Sequence, residues 1–346
     1  MSAPQKILVI APVVALVLVG ISRLGSASGA EPDPTLPLAE TPYVLGDGID
    51  DYIDFMMSGG PPPDGIPSID RPRFVSAGDA KLDGGDIVIG FHHEGEARAY
   101  PQRILVQHEI VNDRVGGLNV VITYCPLTAT AQGFKRGDTT LGVSGQLLNS
   151  NLVMFDRDSG TLFSQIAATG LTGEHRGRTL DEMNVTWTTW ERWSAAYPRT
   201  RVLSERTGHL RNYARDPYGR YNPVGGYYAR AGTIFPLMHT SSEHHDKKMV
   251  VGGRTSERAA YFVLEELARD RVQSTANFLA VYDQSLDTGY VYATDADGPR
   301  VSPRGDGTYE IDGETYAPDA LPLERLVPVE AFFFAWNAFY PDSESF

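Results

Sequence analysis

The chain has 346 residues, 42% hydrophobic and 21% charged, enough apolar material to close a sizeable core. Its 44 acidic residues against 30 basic ones leave a net charge of −14, which argues against a nucleic-acid surface and against tight docking on anionic lipid. Lys6, Lys81, Lys135, Lys247 and Lys248 are the only lysines, a bias that suits a salty medium and follows equally from codon usage.

At the amino terminus, Lys6 supplies a short positive region and Ile7 to Ile21 an apolar run of about fifteen residues, the dimensions of a signal peptide. Ser28-Gly29-Ala30 offers a cleavage site before Glu31, so residues 1–30 are read as a signal peptide. The run falls short of the roughly twenty residues of a spanning helix, while Pro12 and Arg23 leave an uncleaved N-terminal anchor open. No later segment is long and apolar enough to span. The mature chain is expected outside the cytoplasm, whether periplasmic, secreted or at the cell surface, touching a membrane only through that first segment. Residues 31–63 are rich in Pro, Gly and Asp and end in Gly59-Gly60-Pro61-Pro62-Pro63, the composition of an extended arm. One helical turn is expected within it, from Tyr52 to Met57.

Residues 64–203 and 248–346 carry matching blocks in the same order and are read as two diverged copies of one unit. DIVIGFHHEGEARAYPQRIL from Asp86 matches KMVVGGRTSERAAYFVLEEL from Lys248, setting Gly90 against Gly252 and Tyr100 against Tyr261. LNVVITYCPL from Leu118 matches ANFLAVYDQSL from Ala276, with Tyr124 opposite Tyr282. WERWSAAYPRT from Trp190 matches FFFAWNAFYPDS from Phe332, with Tyr197-Pro198 opposite Tyr340-Pro341. Each copy reads as strand, strand, helix, strand, strand and a closing aromatic helix, an α+β class with antiparallel sheets.

Within the first copy, Pro101 suits a first helical position, and Ile104, Leu105, His108 and Val111 then follow at helical spacing. Asn119 to Tyr124 is a buried strand, and Asn151 to Gln165 a hairpin turning at Asp156-Arg157-Asp158-Ser159-Gly160. Trp187 to Tyr197 is a helix whose aromatics recur at core spacing. The connection 204–247 is dense in Tyr, Arg and Gly, with Tyr213, Tyr218, Tyr221, Tyr227 and Tyr228 close together, and is expected to form an ordered cover. Asp295-Ala296-Asp297-Gly298 begins like a calcium loop but lacks the later glutamate, so a turn is expected.

Several segments together resemble an exported-protein family known as domain of unknown function 3179: GIPSID at Gly65, EARAYPQRIL at Glu96, HEIVND at His108, YCPL at Tyr124, SGQLLNSNLVMFDRDSGTLFSQ at Ser144 and DPYGRY at Asp216. The resemblance spans Asp64 to Phe346. It supports the fold and the export and implies no activity. The family pattern has Cys-Pro-Leu-Cys where this chain has Thr128 at the second cysteine, so a Cys-x-x-Cys redox or disulfide role fails here.

Cys125 is the only cysteine, so no internal disulfide forms. Residues particular to one copy are the ones free for function: Asp283 stands opposite Cys125 and Arg269 opposite His108. A site is therefore expected in the first copy, near the turn after the Asn119–Tyr124 strand. One reading is a metal centre of Cys125, His108 and Met154, or a histidine from His209, His239, His244 and His245. Sulfur with imidazole favours copper. A second makes Cys125 a nucleophile activated by His108 and oriented by Glu109 or Asp113. A third is a non-catalytic binding module in which the connection clamps a glycan, peptide or small acid. Tyr124, Thr128, Asn149, Asp156, Gln165 and His209 are the candidate ligand contacts. The plainer alternatives are a Cys125 that is simply buried and a His108 that packs within its helix.

Overall fold

In a computed structural model, residues 36–295 and 298–346 are described. The expected signal peptide lies outside them, as do Ala296 and Asp297 of the expected turn. The chain is mixed α+β with mostly antiparallel sheets and few, short helices. In the arm, the helical turn expected at Tyr52 is a two-turn helix, Ile49–Phe55, with the Tyr52 ring fully buried.

The first sheet is built on β1 (Ile87–His93) and β2 (Glu96–Pro101), an antiparallel pair. α1 (Gln102–Leu105) follows β2. A second sheet holds β3 (Ile110–Val115), β4 (Leu118–Cys125) and β5 (Thr130–Lys135) in a meander. β6 (Leu141–Leu148) and β7 (Asn151–Asp156) form a third, and the hairpin from Asn151 closes through pairing of β7 with Leu162–Ser164. β8 (Glu182–Met183) returns to β5, and β9 (Thr186–Thr189) to the outer edge of β1. α2 (Trp190–Ala196) follows, and β10 (Arg201–Leu203) lies parallel to β2.

After the connection, β11 (Met249–Arg254) and β12 (Ala259–Val263) pair antiparallel, and α3 (Leu264–Asp270) follows. β13 (Val272–Ser274), β14 (Phe278–Asp283) and β15 (Thr288–Ala293) make a meander. β16 (Val329–Phe332) pairs with the outer edge of β11, α4 (Phe333–Phe339) follows it, and β17 (Glu344–Ser345) lies parallel to β12.

Two glycines set how the closing helices pack. A Cβ on Gly90 would lie 2.2 Å from the Trp193 ring, and one on Gly252 would lie 2.2 Å from the Trp336 ring. Only hydrogen at these positions lets each indole lie flat on its strand. α4 is buried on nearly every side, as a helix reading FFAWNAF must be. Each such large apolar side chain taken from water contributes about 1.5–3 kcal/mol.

Two expected helices are shorter than their spacing suggested. The helix after Pro101 ends at Leu105, and Val111 lies on strand β3 instead of a helical face. Pro101 itself is extended, at φ −60 and ψ 128, and precedes the helix as its cap. Glu109 has φ 59, which reverses the chain, and the β-branched Ile110-Val111 pair then pairs with β4. The aromatic helix starts at Trp190, while Trp187 lies on β9.

Candidate functional site

Beyond α1 the chain turns twice before entering β3, and this turn carries His108 and Glu109. His108 is fully buried, with Nδ1 2.7 Å from the Pro67 carbonyl and Nε2 2.7 Å from the Tyr213 hydroxyl. A carbonyl only accepts, so Nδ1 carries the proton and Nε2 accepts from Tyr213. Burial pushes the imidazole down to about 4, and the Pro67 bond only partly opposes this, so the ring is neutral at neutral pH. Both ring nitrogens are committed. His209, exposed on the connection, has its ring 5.3 Å from that of His108, and its backbone N–H donates to the Thr207 hydroxyl, which meets that of Tyr213.

Cys125 ends β4 with 2% of its surface exposed. It shares an apolar cluster with Met154, Ile110, Val121 and Leu127. Its thiol points to the Ser150 carbonyl at 3.8 Å, and burial followed by the nearby Glu109 pushes it up to about 11. At neutral pH the sulfur keeps its proton, which is the wrong state for a nucleophile or a soft metal ligand. Among the described residues, no group of three or more His, Cys, Asp or Glu side chains is placed to hold a metal ion.

Glu109 is different. Its residue is 8% exposed, and burial alone pushes its carboxyl up to about 8. No hydrogen bond or ion pair to that carboxyl exists among the described residues; only its backbone is engaged, N–H to Leu105 O at 2.6 Å and C=O from Tyr124 N at 2.7 Å. Left-handed backbone on a non-glycine residue costs on the order of 1 kcal/mol and persists where its surroundings hold it. The second half repeats this backbone: Arg271, at φ 71, donates to Leu267 O at 2.7 Å and accepts from Tyr282 N at 3.0 Å. These bonds set Glu109 against Arg271, and hence His108 against Asp270, one position from the Arg269 that sequence matching had placed there.

The connection lies over this end of the first half. Tyr218 is close enough to Glu109, Cys125 and Asp216 for each to push its phenol further up, after burial. The Tyr227 hydroxyl donates to Leu127 O at 2.9 Å, in the turn after Cys125. Above the Tyr227 ring sits the Lys247 ammonium at 4.1 Å, which also lies over Phe334 at 4.4 Å and donates to Gly232 O at 2.7 Å. Burial lowers that ammonium to about 8. Further along, Asp216 accepts from Gln102 at 2.9 Å and from the Tyr228 hydroxyl at 2.9 Å. Gln102 also reaches the Tyr124 hydroxyl at 3.1 Å, which meets that of Tyr221 at 3.0 Å. A cleft of about 220 Å³, lined in part by Gln102, Asp216, Arg220 and Tyr221, opens beside this network.

The remaining sequence candidates have internal partners. Thr128 accepts from Asn151 at 3.0 Å, and Gln165 bridges Asn151, Thr123 and the Thr130 carbonyl. Asp156 takes donors from Ser159 N–H and the hydroxyls of Ser159 and Thr139, which hold its carboxyl below the usual range despite burial. Asn149, at φ 51, tips the β6–β7 hairpin and ties it to Ala338 O and Met238 N. Tyr218, Asp216 and Gln102 were missed by reasoning from sequence. Asp216 and Tyr218 stand in the DPYGRY segment that carries the family resemblance, which was the available signal.

A protein-family model described as Protein of unknown function (DUF3179) matches residues 63–343. No curated protein and no solved structure matches the chain.

Proposed function

The chain belongs to the DUF3179 family of proteins of unknown function, and we propose that it is an exported protein holding a small ligand at the Glu109 carboxyl, beneath the tyrosine-rich connection. The observation that carries this reading is a carboxyl on a residue only 8% exposed that has no hydrogen-bond partner among the described residues and keeps an edge on solvent. Perturbed, unpartnered acids cluster where ligands or reacting groups complete them. The ligand class it favours is a small primary amine, whose N–H groups would supply the missing donors and whose charge would pair with the carboxylate. Tyr218 contributes aromatic wall and Cys125 an apolar one. This reading is preferred to a sulfur–imidazole copper centre because both His108 nitrogens are spent and Cys125 keeps its proton.

The proposal includes descent of the two halves from one duplicated unit. It is supported by the recurrence of the same pairings around β1–β2 and β11–β12, including one parallel neighbour each, and by the matched glycine–tryptophan contacts. Export rests on the Lys6 and Ile7–Ile21 pattern, and predicts that the extracytoplasmic protein begins at Glu31.

The ligand reading is tested by thermal unfolding of the full chain at pH 9 against a panel of small amines, with matched alcohols as controls. At least one amine should raise the melting temperature of the wild type and leave Glu109→Gln unmoved. A panel in which no amine acts, or acts equally on both proteins, would refute it.

A further inference from the structure

Away from Glu109, a set of fully buried polar atoms lacks hydrogen-bond partners at the joint between the two halves. Arg254 at the end of β11 and Glu182 on β8 form an ion pair of 2.6 Å, each side chain 1% exposed. Gln132 on β5 donates to the same Glu182 oxygen, Oε1, at 2.7 Å; the Tyr43 ring lies 4.5 Å from the guanidinium and its hydroxyl lies beside the Glu182 carboxylate without satisfying Oε2. Five buried atoms here have no hydrogen-bond partner among the described residues: Arg254 Nε and Nη1, Glu182 Oε2, Gln132 Oε1 and the Tyr340 hydroxyl. The Tyr340 hydroxyl faces the guanidinium without reaching hydrogen-bond geometry. Folded proteins leave few such groups, and five of the fifteen among the described residues lie at this joint.

Their chemistry defines what would satisfy them. Arg254 Nε and Nη1 only donate, Glu182 Oε2 and Gln132 Oε1 accept, and the Tyr340 hydroxyl does either. An anion would meet the Glu182 carboxylate and a cation the guanidinium, so the pair disfavours a charged occupant. A neutral group that both accepts and donates fits both sides. A cleft of about 240 Å³ adjoins the place, with Tyr340, Val44, Gly46 and Ala259 among its lining residues. Val44 is tied to the strand end by its N–H to Thr255 O at 2.9 Å, directly beyond Tyr43 and Arg254.

We propose that this joint is a second binding site, taking the hydroxyl or primary amide of a small neutral molecule that enters by the Tyr340 cleft. Arg254 donates to the group's oxygen, and Glu182 Oε2 or Gln132 Oε1 accepts its proton-bearing side.

Crystals of the full chain soaked separately in glycerol and in acetamide distinguish a hydroxyl occupant from an amide one. Ligand-observed NMR supplies the affinities in solution. The expected result is one probe bridging Arg254 Nη1 and either Glu182 Oε2 or Gln132 Oε1 while touching the Tyr340 hydroxyl, with affinity about tenfold weaker in Tyr340→Phe, the effect of removing one hydrogen bond. Tyr340→Phe keeps the ring and should leave the circular-dichroism spectrum unchanged, and Glu109→Gln should bind the probe as the wild type does. Water alone at the joint in both soaks, or binding indifferent to Tyr340→Phe, overturns the proposal.

Discussion

Glu109 and Arg271 occupy turns with the same backbone bonds and the same left-handed conformation, yet they carry opposite charges. Arg271 is packed between rings yet not satisfied: its guanidinium lies 5.7 Å from the Tyr282 ring and 6.0 Å from that of Tyr309, whose hydroxyl donates to Arg271 O at 3.1 Å, while its Nε and Nη2 have no hydrogen-bond partner among the described residues. The neighbouring strand end in that half is closed, because Asp283 accepts from Ser285 N–H and the Ser285 hydroxyl. In the first half the corresponding carboxyl has no hydrogen-bond partner among the described residues, and at the strand end the weakly bonding Cys125 thiol stands where the second half has Asp283. Backbone geometry fixes where a side chain emerges and leaves its chemistry free. What separates the two turns is the sign of the group left without a partner, an acid at Glu109 and a guanidinium at Arg271.

The comparison is broken most severely at the joint that holds both halves. Glu182→Ala leaves Arg254 buried and unpaired, and chemical denaturation should report a loss of about 3–5 kcal/mol. An unchanged midpoint would mean that the pair is not shielded from solvent.

The next effect separates the two turns by pH. Glu109 has its folded-state value raised to about 8 from a reference of 4.5. A raised acid binds its proton more tightly in the folded state, so its contribution is fully present below about 4.5 and is lost as pH climbs through 8. Glu109→Gln should therefore match the wild type near pH 4 and exceed its stability at pH 9 by on the order of 5 kcal/mol. Arg271→Gln removes no carboxyl and should show no such window. Glu330, also raised to about 8 by burial, keeps part of the pH slope in both variants.

Cys125 sharpens the contrast through a rate. With its thiol pushed up to about 11, the native protein should react with a disulfide reagent at neutral pH about a hundredfold more slowly than the unfolded chain. Fast native labelling would restore the nucleophile reading.

The smallest effect tests what the halves share. Gly90→Ala and Gly252→Ala each place a methyl against an indole ring, and each should cost about 1–3 kcal/mol. Similar losses by thermal melting would support the common scaffold; a loss at one position alone would count against it.

The parts legible in the sequence were those with a local period. The buried strand at Asn119–Tyr124 and the hairpin from Asn151 announce themselves through runs of apolar residues and a five-residue turn rich in Asp, Ser and Gly. The reversal at Glu109 had no such mark, because left-handed backbone on a glutamate is imposed by tertiary contacts. The helical spacing from Ile104 to Val111 therefore ran on past the true helix end. Cys125 and His108 drew attention by residue type, which says nothing of whether ring nitrogens are already committed. Gln102 and Asp216 are 114 positions apart, and Arg254 and Glu182 are 72 apart, so neither contact leaves a local pattern.

The central claim, that the largely buried Glu109 carboxyl has no partner among the described residues, is tested most directly by its own titration. Carbon-13 NMR of the glutamate side-chain carboxyls, assigned by comparison with Glu109→Gln, should follow it to a midpoint near 8. A midpoint at the ordinary value near 4.5 would mean that the carboxyl is solvated or paired, and the first half would lose its claim to the site.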